Sequence, residues 1–282
     1  MLTETIIRRL ERMSRLDRFG RGLSNLYAKV IRPGRFRDLL SGTVIRHPAH
    51  PMLTDVTIGT WTSAILLDIF GIRHGAELLV GLGALAALPT ALTGLNDLSG
   101  ITEADTRAVA VIHALGNVAA LALFAASYFI RRADEHTTGV VLSAVGFGVL
   151  TVSGFLGGHL SFRRGVGVDQ TIFERPILEW TAVLDADDLA PDRPRRVRVE
   201  GTDVMLYRAN GKLYALANRC THRGGPLHKG KVADGAVTCP WHLSTFRLGD
   251  GDIVRGPATA PEPTFEARVQ AGKIEIRSQT SR

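Results

Sequence analysis

From Ile6 to Val30 the apolar residues Ile6, Ile7, Leu10, Met13, Leu16, Phe19, Leu23, Leu26, Tyr27 and Val30 recur every three or four positions with arginines between them. That period predicts an amphipathic helix, which Pro33 and Gly34 break. After His47-Pro48-Ala49-His50-Pro51 the pattern changes to four apolar stretches, 52–72, 76–95, 108–130 and 139–160, each about the 20 residues that a spanning helix requires. Gly75, Asn96-Asp97 and the charged run Arg131-Arg132-Ala133-Asp134-Glu135 separate them. The third and fourth stretches hold almost no ionisable side chains, whereas a soluble bundle helix shows a polar face at every turn. Beyond Phe162 short strand-like runs take over at 177–183, 196–200, 203–208, 212–217, 237–238, 265–269 and 273–276. Asn210-Gly211, Gly249-Asp250-Gly251 and Ala271-Gly272 supply turns between them, the spacing of a compact antiparallel sandwich or barrel. No internal repeat or low-complexity tract is evident.

The expected fold is multi-domain, an α-helical four-span membrane bundle followed by an all-β antiparallel sandwich. Its segments are a basic amphipathic membrane-surface segment at 1–45, the four-helix transmembrane domain at 46–163, a linker at 164–176 and the β domain at 177–282. The formal charge of +7 is concentrated near the start, in Arg8, Arg9, Arg12, Arg15, Arg18, Arg21, Lys29, Arg32, Arg35, Arg37 and Arg46. Nucleic acid is excluded as a partner, because no zinc finger, helix-turn-helix or RNA-binding signature accompanies the basic run. A lipid bilayer with anionic headgroups on its cytoplasmic face fits it better, with the first helix lying on the surface. A secretory leader is not expected, since Leu10-Glu11-Arg12 interrupts the apolar residues. An even number of spans, with arginines at the start and at Arg163-Arg164, predicts an integral protein of the bacterial cell membrane with both termini cytoplasmic. Arg73 and Arg131-Arg132 on the other side dissent weakly.

The chemistry concentrates in the β segment. The chain has two cysteines, and both stand in ligand-like pairs, Cys220-Thr221-His222 and Cys239-Pro240-Trp241-His242, on loops between strands. No cysteine is left for a structural disulfide. Two cysteines and two histidines also suit a zinc ion, yet zinc fingers put both histidines together, and here thiol and imidazole alternate. A cluster of two irons needs two ligands per iron, so each loop can give a thiolate to one iron and an imidazole to the other.

Cys220-Thr-His222-Arg-Gly-Gly-Pro-Leu and Cys239-Pro-Trp-His242-Leu-Ser-Thr-Phe246 resemble the paired ligand boxes of the Rieske family, over roughly 177–276. The resemblance implies a [2Fe–2S] cluster with Cys220 and Cys239 on the buried iron and His222 and His242 on the outer one. Neutral imidazole donates less charge than thiolate, which makes such a cluster easier to reduce. In the cytochrome bc-type branch two further cysteines form a disulfide across the cluster; Gly225 and Trp241 stand at those positions here. Members of high potential place a serine and a tyrosine after the second box, where this chain has Ser244 and Phe246. The resemblance therefore leans toward ferredoxins and oxygenase-associated members, at low or intermediate potential, with Ser244 as a hydrogen-bond donor to a cluster sulfur. Pro240, Gly224-Gly225, Pro257 and Pro261 are read as shaping the loops, and His228 as a solvated loop residue.

His47-Pro-Ala-His50-Pro-Met resembles the start of an uncharacterised four-helix bacterial membrane domain that recurs beside Rieske domains. Ionisable groups within spans tend to be functional. His113 and His159, both toward the cytoplasmic leaflet, are candidate axial ligands of a haem b; the alternative is that His113 and Asn117 bond between helices. Asp55 and Asp68 in the first span invite either a proton relay or pairing with a histidine or with Arg46.

These features predict a membrane-anchored electron-transfer protein that passes single electrons between a donor, ferredoxin reductase-like or a quinone or haem protein, and an acceptor oxidoreductase. No catalytic residue is assigned, and the chain is expected to be a component of an oxidoreductase system. The alternative is a membrane oxidoreductase component with haem b or quinone in its helical half; a redox sensor is a third reading. An oxygenase domain is not expected, since about 40 residues follow His242, too few for a second iron site.

Overall fold

The computed structural model describes residues 2–279, with the side chains of Leu2 and Thr3 excepted. Met1 and 280–282, the outer ends of the segments expected at 1–45 and 177–282, lie outside the described residues. The chain forms two units. The first takes the residues up to Arg32 together with Pro48–Val166, and the second takes Pro33–His47 together with the residues from Gly167 onward. Residues 33–45, grouped by sequence with the basic surface segment, thus fold with the β unit instead.

The helices are α1 (Leu2–Glu11), α2 (Ser14–Val30), α3 (Arg35–Ser41, in the second unit), α4 (Ala49–Ile69), α5 (Arg73–Ser99), α6 (Ala104–Arg132) and α7 (His136–Phe162). Of these, α5, α6 and α7 are long and apolar enough to cross a membrane. The 21-residue α4, which carries Asp55 and Asp68, is not among them. The single amphipathic helix expected near the start is two helices, and both are fastened to the bundle. Asp17 sits 3.2 Å from Arg107, Tyr27 donates to Asn96 at 2.9 Å, and Glu11 pairs with Arg164. Gly20 permits the close approach, since a Cβ there would stand 2.8 Å from Val111.

The bundle contains an internal repeat that the sequence does not reveal. Asp68 and Arg131, 63 residues apart, form a two-point ion pair at 2.7 and 2.6 Å with both side chains buried. The same offset relates Trp61 to Phe124, whose rings stack at 4.1 Å and 7°. It also relates Gly83, whose added Cβ would collide with Trp61, to Gly146, whose Cβ would crowd Phe124 at 3.2 Å. Ala64 and Ser127 are related likewise, as are Val80 and Ser143, and all four are fully buried. Helices α4–α5 and α6–α7 are therefore two copies of one hairpin, whose α4 and α6 side chains meet at these pairs. Small residues at matched positions let such helices approach closely in an apolar medium. The α6 partner Arg131 also bonds Ser127 and Ser143, so the buried charge of Asp68 is fully compensated, as a low-dielectric interior demands.

The second unit has a six-stranded sheet ordered β1-β10-β9-β4-β3-β2 and a four-stranded sheet ordered β5-β6-β7-β8. The strands are β1 (Thr181–Asp185), β2 (Arg195–Val199), β3 (Thr202–Ala209), β4 (Lys212–Ala217), β5 (Lys231–Ala233), β6 (Ala236–Thr238), β7 (Thr245–Arg247), β8 (Ile253–Arg255), β9 (Thr264–Gln270) and β10 (Lys273–Ser278). All named pairings are antiparallel. Successive side chains of a strand point to opposite faces, and β3 uses this to serve two cores. Val204 and Leu206 enter one with Ile177, Ile274 and Ile276. Met205 and Tyr207 enter the other with Leu227, Val237 and Phe246. Segment Pro33–His47 is held to this unit by polar bonds. Asp38 accepts from the Gly256 amide at 3.0 Å, Thr43 donates to the Ala258 carbonyl at 2.9 Å, and Arg46 forks onto Asp252 at 2.6 and 3.1 Å. Arg46 is thus engaged within the β unit, and Arg131 is the partner of Asp68.

Candidate iron–sulfur centre

Two loops carry the four ligand-like residues, one after β4 and one between β6 and β7. Each loop closes on its own main chain. In the first, the Cys220 amide donates to Gly225 at 2.9 Å and the Gly224 amide returns to Cys220 at 2.7 Å; Gly224 has φ +74°, a conformation glycine adopts without strain. In the second, the Cys239 amide donates to Ser244 at 2.8 Å and the Leu243 amide to Cys239 at 3.2 Å.

The loops converge. Cys220 and Cys239 are buried, and a hydrogen bond between the two thiols pushes Cys220 up and brings Cys239 down to about 7. The His222 and His242 rings meet edge-on with centroids 4.9 Å apart. Nδ1 of His222 is buried and has no hydrogen-bond partner among the described residues. Burial, followed by the neighbouring His242, Arg223 and Arg37, holds His222 well below its usual range and keeps it neutral. Gly225 is required by its surroundings, because a Cβ there would stand 2.6 Å from the Cys239 sulfur. Two buried thiols and two imidazoles, one held neutral with an orphaned nitrogen, are brought together here, donor types that a mixed-ligand iron–sulfur cluster uses.

Ser244 is fully buried, and its Oγ accepts from the Ala258 amide at 3.0 Å. That leaves the hydroxyl hydrogen available for donation. His228 is tied to Asn218 Oδ1 through its own amide at 2.9 Å and its ring Nδ1 at 2.8 Å. A residue that sequence reasoning missed is Glu262. It is 1% exposed, accepts from the Thr221 amide at 3.1 Å beside Cys220, and is raised well above the usual carboxylate range by burial. Its setting between Pro261 and Pro263 is the only hint the sequence holds.

The membrane histidines are grouped differently from the expectation. His159 Nε2 lies 3.5 Å from Glu11, while the ring beside His113 is that of His50, at 6.4 Å between centroids. Asn117 does bond His113, at 3.1 Å on the same helix. His47 belongs to the β unit.

The β unit, with both ligand-like loops projecting from antiparallel strands, has the architecture of an iron–sulfur domain. Residues 179–266 match the family model of the Rieske [2Fe–2S] domain, and residues 46–170 match that of a predicted membrane protein (DUF2231). Ferredoxin CarAc of Metapseudomonas resinovorans is 31% identical over 101 residues, which is 36% of this chain and 94% of that protein. Apoptosis-inducing factor 3 of Homo sapiens is 33% identical over 97 residues, 34% of this chain, and the chain spans only 16% of that protein's length. Among solved structures, the ferredoxin of carbazole 1,9a-dioxygenase from Nocardioides aromaticivorans IC177 is 25% identical with a TM-score of 0.34, covering 36% of this chain and 98% of that one. The chain belongs to the Rieske [2Fe–2S] family, with a DUF2231 membrane domain ahead of the cluster domain.

Proposed function

We propose that this protein is a membrane-anchored one-electron carrier in which Cys220 and Cys239 ligate one iron of the cluster and His222 and His242 the other. The observation that carries the reading is the convergence of two buried thiols and two imidazoles, with the His222 nitrogen left without a protein partner. The cluster supplies a site that takes up and gives back a single electron. The chain's own residues hold it. Gly225 keeps the Cys239 sulfur unobstructed, Ser244 offers a hydroxyl hydrogen to a bridging or ligand sulfur, and the Thr221 amide is fixed by Glu262. Trp241 and Leu243 flank His242 and are 48% and 43% exposed. This apolar rim beside the outer iron's ligand is where a redox partner is received.

Support for a donor and an acceptor comes from the relatives, one named a ferredoxin and one the ferredoxin of a dioxygenase. A reductase-like donor and an acceptor oxidoreductase are the matching partners. The helical half spans the membrane four times: α4 is the structural copy of α6, which is itself long and apolar enough to cross. Four spans leave both termini on the cytoplasmic side. Electron paramagnetic resonance on the full chain extracted from membranes tests the reading. A reduced-state Rieske signal is expected, and His222→Cys should move its g-values toward those of an all-cysteine cluster. A signal unaltered by that change would remove His222 from the ligand set.

A further inference from the structure

Outside the iron–sulfur centre, the helical unit holds a second pair of imidazoles. His50, in the first turn of α4, and His113, in the third turn of α6, are related by the same 63-residue offset as the buried Asp68–Arg131 pair. Their surroundings are duplicated in detail. Nδ1 of His50 is 3.0 Å from the Thr90 carbonyl and Nδ1 of His113 is 2.8 Å from the Ser153 carbonyl, each 40 residues further along the chain. Each ring also rests against a glycine of the same partner helix. A Cβ at Gly94 would stand 2.8 Å from His50, and one at Gly157 would stand 2.9 Å from His113.

An imidazole whose Nδ1–H is held by a carbonyl presents the Nε2 lone pair outward, the way metal-bound histidines are commonly fixed. The ring centroids are 6.4 Å apart with planes at 84°. Metal–imidazole bonds of about 2 Å, with each ring centre about 1 Å behind its nitrogen, put two axial imidazoles about 6 Å apart.

We propose that His50 and His113 are the two axial ligands of a haem iron. A bare metal ion would ask for three or four protein donors, and this pair supplies two. A tetrapyrrole brings four nitrogens of its own and asks the protein for only two. The layer around the pair is built of small side chains, Thr54, Thr90, Thr93 and Gly116 among them. An apolar groove of about 410 Å³ runs between α6 and α7 at Gly116, Val149 and Ser153, next to the pair and lined by neither histidine. Asn117 Nδ2 lies 3.1 Å from His113 Nε2, and rotation of that amide frees the nitrogen. Ser153 Oγ and Thr93 Oγ1, each 3.4 Å from an Nδ1, complete the polar groups facing the pair.

This site rests on the reading of the chain as an electron carrier, and the two are separable by spectroscopy. The full-length protein is produced with iron and a haem precursor supplied, extracted in detergent, and examined by optical absorbance and by electron paramagnetic resonance. About one haem per chain with a six-coordinate low-spin spectrum is expected, beside the Rieske signal. His50→Gly and His113→Gly should each lower haem content roughly tenfold or more, and added imidazole should restore it, which a misfolded variant could not do. His113→Met should keep haem with an altered spectrum. A preparation with the cluster signal and no haem would overturn the site, as would an unchanged six-coordinate spectrum in His50→Gly. Haem present with the cluster signal absent would instead overturn the carrier reading.

Discussion

Cys220 and Cys239 stand on two loops of the β unit, and each loop gives one thiol and one imidazole to a shared centre. His50 and His113 stand on two helical hairpins, and each hairpin gives one imidazole, one carbonyl and one glycine to a shared layer. Both halves thus build a centre from two equivalent segments, but the segments resemble each other on different terms. Iron accepts few donor atoms, so the loops repeat residue type, Cys followed closely by His. Helix packing in an apolar medium asks for fit, so the hairpins exchange letters where Ala64 answers Ser127, Val80 answers Ser143 and Trp61 answers Phe124. They keep identity where a ring or a close backbone leaves no room, at Gly83 and Gly146 and at His50 and His113.

That contrast can be broken first at the glycines. Gly225→Ala puts a methyl group 2.6 Å from the Cys239 sulfur, and the expected outcome is loss of the cluster, read as disappearance of the visible absorbance and the paramagnetic signal. A cluster retained in Gly225→Ala would mean that the loop yields easily. Next in size is the buried pair. Arg131→Ala leaves Asp68 charged in an apolar setting and should destabilise the helical half by about 3–5 kcal/mol, measured as a lowered thermal transition in detergent. Replacing both partners, Asp68→Leu with Arg131→Leu, should recover most of that loss.

A smaller effect is expected at Ser244. A hydrogen bond of about 1 kcal/mol to a cluster sulfur corresponds to about 40 mV for one electron, so Ser244→Ala should lower the reduction potential by that order in a redox titration. No change would mean that the hydroxyl points elsewhere. The smallest effect is a pH slope. Burial, with Asp203 and Asp169 adding to it, raises Glu174 from the ordinary 4.5 to about 7. The folded β unit therefore holds a proton that the unfolded chain has released over that interval. The stabilisation is fully present below about 4.5 and fades as the pH climbs through 7. Glu174→Gln should flatten this decline in urea unfolding followed across that range.

Four long helices and seven of the ten strands were legible in the sequence, because apolar runs and alternating residues report burial directly. Strands β5, β7 and β8 escaped notice. Each has three residues, too short for an alternation to register, and β7 closes one of the ligand-bearing loops. The four ligand-like residues stand out in the sequence because metal chemistry asks for both type and spacing, and the structure brings their loops together. Glu262 does not stand out, since one buried carboxylate between prolines has no pattern. His113 stands out in the sequence as an ionisable group within a span, but its nearness to His50 does not: the 63-residue repeat survives in the letters only at scattered matches such as His50 with His113 and Gly83 with Gly146, too few for a period to register. The ion pair of Asp68 with Arg131 was hidden for the same reason, the arginine lying in what reads as a charged interhelical loop.

Segment Pro33–His47 has a consequence for anyone who would cut this chain apart. The β unit is not continuous along the gene. An excised fragment that starts after the last long helix would leave behind Asp38, Thr43 and Arg46, the partners of the Gly256 amide, the Ala258 carbonyl and Asp252. Ala258 in turn donates to Ser244, so the missing stretch is two bonds removed from the hydroxyl next to the cysteines. A free-standing ferredoxin from this chain would need that stretch grafted back, which makes the protein a poor donor of interchangeable parts.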